Sequence, residues 1–210
     1  MMNRDIMAYA QKQLVSSIIT GKVIVETGAY DVNGTVRDWI MSMKPAQYIG
    51  MDIMPGPTVD LVADCTSIPL PDGYADLYVS TETFEHVRRV DLAVNEAKRL
   101  VKPGGYVLLT APVPGFAFHE HPEDHWRFTE ATWKGLFRGW NRKEMQTLRT
   151  AAGIYTMKPY SQSPRIDTSI IPIWNVALER EIAVQDWMKM GMPIRRFVIE
   201  NLGTEYARAR

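Results

Sequence analysis

The chain reads as an α/β protein with a doubly wound, mostly parallel sheet, helices on both faces and a C-terminal helical extension. Three observations predict this. Short β-branched runs alternate with stretches whose apolar residues recur at helical spacing, as βαβ crossovers require. Turn signals such as PDG and PGG separate them. With 210 residues, 46% of them hydrophobic, the chain is long enough for one well-filled core.

The elements follow in order. Ile6, Ala10, Leu14 and Ile18 mark a first amphipathic helix, with Asn3 as N-cap and Gly21 as its stop. Lys22 to Glu26 is a short buried strand. Val36, Trp39, Ile40 and Met43 fall at i, i+3, i+4 and i+7, a helix that ends before Pro45. Tyr48 to Asp52 is the second strand, Val59 to Val62 a short third, and Asp76 to Ser80 the fourth. From Asp91 to Val101 the stripe Ala93, Ala97, Leu100 predicts a helix stopped by Pro103-Gly104-Gly105, after which Tyr106 to Thr110 forms another strand.

The second half changes character. Ala111 to Trp126, with three prolines and three histidines, has no period and reads as a loop. Thr129 caps a helix to about Phe137, and Lys143 to Tyr160 holds two closing strands. Ile173 to Met190 and Ile194 to Tyr206 read as helices. The expected organisation is a domain over residues 1–160, with residues 161–210 as a helical extension packed on it.

Composition narrows the function classes. Lys+Arg and Asp+Glu balance at 24 each, so bulk charge supplies no nucleic-acid or membrane-surface footprint. A single cysteine, Cys65, excludes an intramolecular disulfide framework and fits a reducing, cytoplasmic setting. No signal-like segment or bilayer-length apolar run occurs.

In an open parallel sheet, ligands bind beyond the carboxyl ends of the strands. The residues there are Glu26, Gly28 and Ala29 after the first strand, Asp52 after the second, Asp64 after the third, and Thr81 and Glu82 after the fourth. A carboxylate ending the second strand suits the two hydroxyls of a ribose. Asp64-Cys65 offers a carboxylate and a backbone N–H to an adenine edge. Glu26 repels a pyrophosphate but suits a cation such as a sulfonium or ammonium. The loop ETGAYDVNG carries Tyr30 and Val32 where a dinucleotide loop has its later glycines, which argues against a nicotinamide-dependent oxidoreductase.

The order VIVETG, YIGMD, VADC, ADLYVSTETFEHV and RLVKPGGYVLLT resembles the class I S-adenosylmethionine-dependent methyltransferases, which have a Rossmann-like fold. It is closest to a type 11-like branch reading E-x-G-x-x-x-V-N-G-x-x-R, then Y-I-G-x-D-x-x-P-G-P, then a segment like HPEDHWRFT. The resemblance covers about residues 22 to 138. It implies S-adenosyl-L-methionine as cofactor. Glu26, Gly28, Ala29 and Tyr30 would lie at its methionine part, Asp52 at the ribose and Ile53 on the adenine face. Asp64 and Cys65 would meet the adenine edge, and Thr81 and Glu82 the sulfonium side.

The histidine segment FHEHPEDHW places His119, His121 and His125 close together. Its loop composition and the resemblance both speak against a metal, and none is expected. The loop is read instead as the cover of an acceptor pocket. His119 or His121 would be the general base, and Trp126 and Arg127 would shape the site. Glu85-His86 has two readings, a pair near the cofactor or a helix entry. The expected activity is methyl transfer to an oxygen or nitrogen of a small-molecule or sugar-like acceptor. The alternatives are a non-catalytic cofactor- or partner-binding module and, less favoured, the oxidoreductase. No nucleic-acid or membrane partner is expected, and the C-terminal helices would cap the acceptor site or join a homodimer.

Overall fold

The structure is a computed structural model that describes residues 4–32, 34–117, 119, 123–160 and 174–175. It runs α1 (Arg4–Gln13), α2 (Ser16–Ile19), β1 (Val23–Thr27), α3 (Arg37–Ser42), β2 (Gln47–Asp52), β3 (Leu61–Val62) and β4 (Ala75–Thr81). A 3-10 turn (Phe84–His86) leads to α4 (Val90–Leu100), β5 (Val101–Pro112) and β6 (Trp126–Arg127), and then to α5 (Glu130–Leu136), β7 (Asn141–Thr147), β8 (Ala151–Met157) and β9 (Trp174–Asn175). Seven strands form one sheet in the order β3-β2-β1-β4-β5-β8-β7. The first five are parallel, and the β7–β8 hairpin closes the sheet antiparallel against β5. The expected doubly wound, mostly parallel sheet is present.

Strand alternation builds a core on each face. Ile24, Leu77, Val79 and Leu108 point to one side, where Ala10, Leu14, Ile19 and Ile40 from the segment α1–α3 cover them. Val25, Tyr78, Val107 and Leu109 point to the other, under Val94 and Ala97 of α4 and Trp133 of α5. Full burial of each such aliphatic side chain is worth about 1.5–3 kcal/mol, so both faces of the sheet need their helices. Thr129 caps α5 as expected: its hydroxyl accepts the Thr132 N–H at 3.2 Å in a reciprocal capping box.

Three expected boundaries move. The first helix is two pieces, because Val15 is extended between them (φ −109°, ψ 164°). The Leu14 carbonyl at the break accepts the Trp39 indole N–H at 2.9 Å. The break rotates the second piece so that Ile19, not Ile18, is buried. Val101-Lys102-Pro103-Gly104-Gly105 is the bulged start of β5 rather than a turn ahead of it. Val101 already pairs with Ala75, and the register slips before Tyr106 meets Leu77. Finally, β9 pairs antiparallel with β6, so Trp174–Asn175 are strand where a helix was expected. The rest of Ile173 to Met190, all of Ile194 to Tyr206 and the N-cap Asn3 lie outside the described residues. Among the described residues no helix is long and apolar enough to cross a membrane.

Candidate functional site

Strand order reverses between β1 and β4, where Thr27 stands beside Ser80. The loops leaving these two strands at their carboxyl ends therefore diverge to opposite sides and open a crevice. The β1 loop turns on Gly28, whose φ is +77°; a Cβ on this residue would fall 1.9 Å from Thr83 Oγ1. Both conformation and space exclude a side chain there. Ala29 is buried and its N–H donates to the Met51 carbonyl at 3.1 Å, tying the loop to β2.

Asp52 ends β2 and holds two turns at once. Its Oδ2 accepts the Tyr30 N–H at 3.1 Å, and its Oδ1 the Met54 N–H at 2.9 Å. Each carboxylate oxygen has a second lone pair, so the residue can cap these turns and still accept hydroxyls. Beside it Ile53 is 63% exposed, an uncovered apolar surface at a strand end. Tyr30 lies over Gly56, since a Cβ on Gly56 would come within 2.4 Å of its ring. Thr58 completes this clamp: its hydroxyl donates to the Ala29 carbonyl at 2.6 Å and accepts the Asp31 N–H at 3.2 Å. Sequence reading missed Gly56 and Thr58; the PGPT turn was their only trace.

Glu26 is buried behind the loop, where the hydroxyls of Thr35 (3.0 Å) and Tyr48 donate to its carboxylate. Burial outweighs those donors and pushes its pKa up to about 7. Arg37 lies near but is neutralised by Asp60 at 2.9 Å. At the end of β3, Asp64 Oδ1 accepts both the N–H and the hydroxyl of Thr66 at 2.7 Å. The Cys65 thiol is pushed up to about 12 by burial, which makes it a packed group and not a nucleophile.

After β4, Thr81 is buried and Glu82 sits at φ +50°, a conformation a side chain adopts only under constraint. Burial and neighbouring Glu85 both raise the Glu82 pKa well above the usual carboxylate range. The 3-10 turn then inserts Glu85, fully buried, and His86. The FEHV segment is thus a turn leading into α4, with His86 beside the buried Glu85.

The described part of the histidine segment, His119 and residues 123–125, packs onto this turn. His119 Nε2 lies 3.8 Å from Glu85 Oε1, and its ring meets the His86 ring edge-on at 5.1 Å between centroids. Its Nδ1 faces Asp124 Oδ2 at 3.1 Å. Glu85 first and Asp124 after it raise the His119 pKa. His121 lies outside the described residues. His125 is turned aside, its Nε2 on Glu123 Oε2 at 2.9 Å. Arg127 does not line the site. It is fully buried and pairs with Asp124, while also donating to the Ala117 carbonyl at 3.0 Å. Its role is to fasten the loop from beneath, because a buried guanidinium needs its donors satisfied. Trp126 is likewise buried, donating to the Val87 carbonyl at 2.8 Å.

Residues 32–109 match the family model described as a methyltransferase domain. Over 66 residues the chain is 41% identical to the ubiquinone/menaquinone biosynthesis C-methyltransferase UbiE of Caulobacter sp. (strain K31). That match spans 30% of this chain and 26% of the relative, so about a quarter of the relative's length is represented. Among solved structures, the chain is similar to the Burkholderia thailandensis 1,6-didemethyltoxoflavin-N1-methyltransferase with bound 1,6-didemethyltoxoflavin and S-adenosylhomocysteine. There the TM-score is 0.61 at 12% identity, over 75% of this chain and 80% of that one. It is also similar to the [4+2]-cyclase SpnF, with TM-score 0.58 at 15% identity over 74% of this chain and 80% of that one. At such identities the likeness is one of fold.

Proposed function

We propose that this chain, whose residues 32–109 match a methyltransferase domain, is a class I S-adenosylmethionine-dependent enzyme that transfers a methyl group to a hydroxyl or amine of a small molecule. One observation carries the reading. The strand ends at the switch point form an acidic wall, with Glu26 near the end of β1 buried behind the loop, Asp52 ending β2 and Glu82 following β4, and Arg37 nearby is already paired with Asp60. Such a wall suits a cationic ligand with a ribose and disfavours a pyrophosphate.

The residues present fit that cofactor. Asp52 has lone pairs left for the ribose hydroxyls, and the exposed face of Ile53 offers an apolar bed for adenine. Asp64 and the Cys65 backbone would meet the adenine edge. The Gly28-Ala29 loop, with Tyr30 clamped over Gly56, bounds the methionine part, and Glu26 supplies the charge behind it. Thr81 and Glu82 would face the sulfonium side. When bound, the cofactor supplies an electrophilic methyl: the acceptor's lone pair forms the new bond to carbon while the S–C pair leaves with sulfur.

The chain's own part is to align the acceptor, exclude water and accept one proton. His119 would take that proton, with Asp124 Oδ2 3.1 Å from its Nδ1 and its Nε2 3.8 Å from Glu85 Oε1. Isothermal titration with S-adenosylhomocysteine tests binding; transfer of labelled methyl across alcohols, amines, sugars and quinols tests the reaction. A carbon acceptor is the second reading, favoured by the C-methyltransferase activity for which the Caulobacter relative is named. Binding of S-adenosylhomocysteine with no transfer across the whole panel would instead favour a non-catalytic module. The cyclase among the similar structures illustrates that this fold alone does not fix the reaction.

A further inference from the structure

We propose that Glu85, His86 and His119 form a binding site for a divalent transition-metal ion on the acceptor side of the crevice. One ligand atom from each of the three lies within 4.8 Å of the other two. Ligands at about 2.1 Å from a shared ion sit roughly 3.4 Å apart in tetrahedral geometry, so a side-chain adjustment of about 1 Å closes the site.

The arrangement around these atoms is that of a ligand set. Both imidazoles turn Nε2 toward the same oxygen, Glu85 Oε1, at 3.6 Å from His86 and 3.8 Å from His119. Both have Nδ1 against an acceptor. In His86 it meets the Glu123 carbonyl; in His119 it meets Asp124 Oδ2 at 3.1 Å and the Ala117 carbonyl at 3.4 Å. Nδ1 therefore carries the proton and Nε2 presents its lone pair, the orientation that outer partners impose on metal-ligating histidines. Arg127 in turn fixes Asp124.

Glu85 is the second, independent observation. It is fully buried, and neither carboxylate oxygen has a hydrogen-bond partner among the described residues. Glu82 Oε1, also buried, has none there either. A buried carboxylate left this way, as in Glu85, is costly unless it is protonated or a cation joins it. Two nitrogens and one carboxylate favour Zn²⁺, Co²⁺, Mn²⁺ or Fe²⁺ over Ca²⁺ or Mg²⁺. The set takes only one histidine from the FHEHPEDHW run; the other two ligands come from the turn after β4.

Three protein ligands leave a position for an acceptor oxygen. With the ion bound, His119 is a ligand and no longer the base. A coordinated hydroxyl loses its proton to water, and the resulting oxygen forms its bond to the methyl carbon as the S–C pair leaves with sulfur. This catalytic extension rests on the methyl-transfer reading, whereas the binding site does not.

The test uses the full chain, stripped with a chelator, dialysed and titrated with Co²⁺ by calorimetry and visible absorption. One equivalent should bind and give the ligand-field bands of a nitrogen-containing site. Glu85→Gln and His119→Gln each remove a direct ligand and should weaken binding by at least about 10- to 100-fold, the cost of losing even an outer partner, while S-adenosylhomocysteine still binds. If Glu85→Gln does not fold, the partly exposed His119 decides. No saturable Co²⁺ binding, or undiminished binding in folded His119→Gln, overturns the site. Methyl transfer with no metal binding overturns it and leaves the transfer reading standing, with His119 as base. Metal binding with no transfer to any acceptor does the reverse.

Discussion

Binding of the cofactor to this chain should release a proton, and Glu26 should be its source. In the free protein the buried Glu26 carboxyl has its pKa pushed from 4.5 to about 7. The hydroxyls of Thr35 and Tyr48 offset only part of the desolvation. At 1.36 kcal/mol per tenfold change in proton affinity, the ionised form is disfavoured by about 3 kcal/mol. A cationic ammonium or sulfonium beside the loop supplies the missing compensation and returns the group toward its ordinary value. The free form therefore binds more protons than the complex between pH 4.5 and 7, so affinity rises with pH through that window and levels off above it. If the shift is fully reversed, about 0.9 proton leaves at pH 6, about 0.5 at pH 7 and about 0.1 at pH 8. The dissociation constant should then fall roughly sixfold per pH unit, averaged between pH 4.5 and 7. Calorimetry with S-adenosylhomocysteine in two buffers of different ionisation enthalpy reads this directly. Glu26→Gln should abolish the buffer dependence and flatten the pH profile. Equal apparent enthalpies in both buffers at pH 6, with a pH-independent affinity, would refute the reasoning.

Asp52→Ala should weaken S-adenosylhomocysteine by about 100-fold through the lost ribose acceptors, with a smaller loss of melting temperature from the two released turns; calorimetry and thermal melts separate these effects. Gly28→Ala forces a side chain into the left-handed region and against Thr83 Oγ1, so it should cost at least about 1–2 kcal/mol and cofactor binding, and Gly28→Ala with Thr83→Ala should recover part of both. Arg127→Met strands the buried Asp124 carboxylate and should cost about 3–5 kcal/mol in chemical denaturation. The double variant Arg127→Met with Asp124→Leu should be more stable than the single one, since no charge is left unpaired.

Much of the fold was legible because its determinants are local. The run VIVET, the stripe of α4 and the Thr129 cap each act within a few residues, where propensity and periodicity operate. Asp52 was legible for a related reason: its position at a strand end is a property of the strand. The break at Val15 was not, because the helical stripe continues through it and the distant Trp39 indole takes the carbonyl there. KPGG misled similarly: glycine and proline stop a helix, but they also permit the bulge with which β5 begins.

From the amino-acid order alone follow the sheet, the crevice at its carboxyl edge and the carboxylates that wall it, since each depends on residues adjacent to a strand. What the histidines face was settled by packing. His119 lies in a loop beyond β5 and Glu85 in a turn beyond β4, and the adjacency of those strands in the sheet, not any spacing along the chain, sets one against the other. Packing likewise made Arg127 the fastening of the loop and brought Glu26 to titrate near neutrality, because desolvation is a property of what surrounds a residue and is not written beside it in the chain.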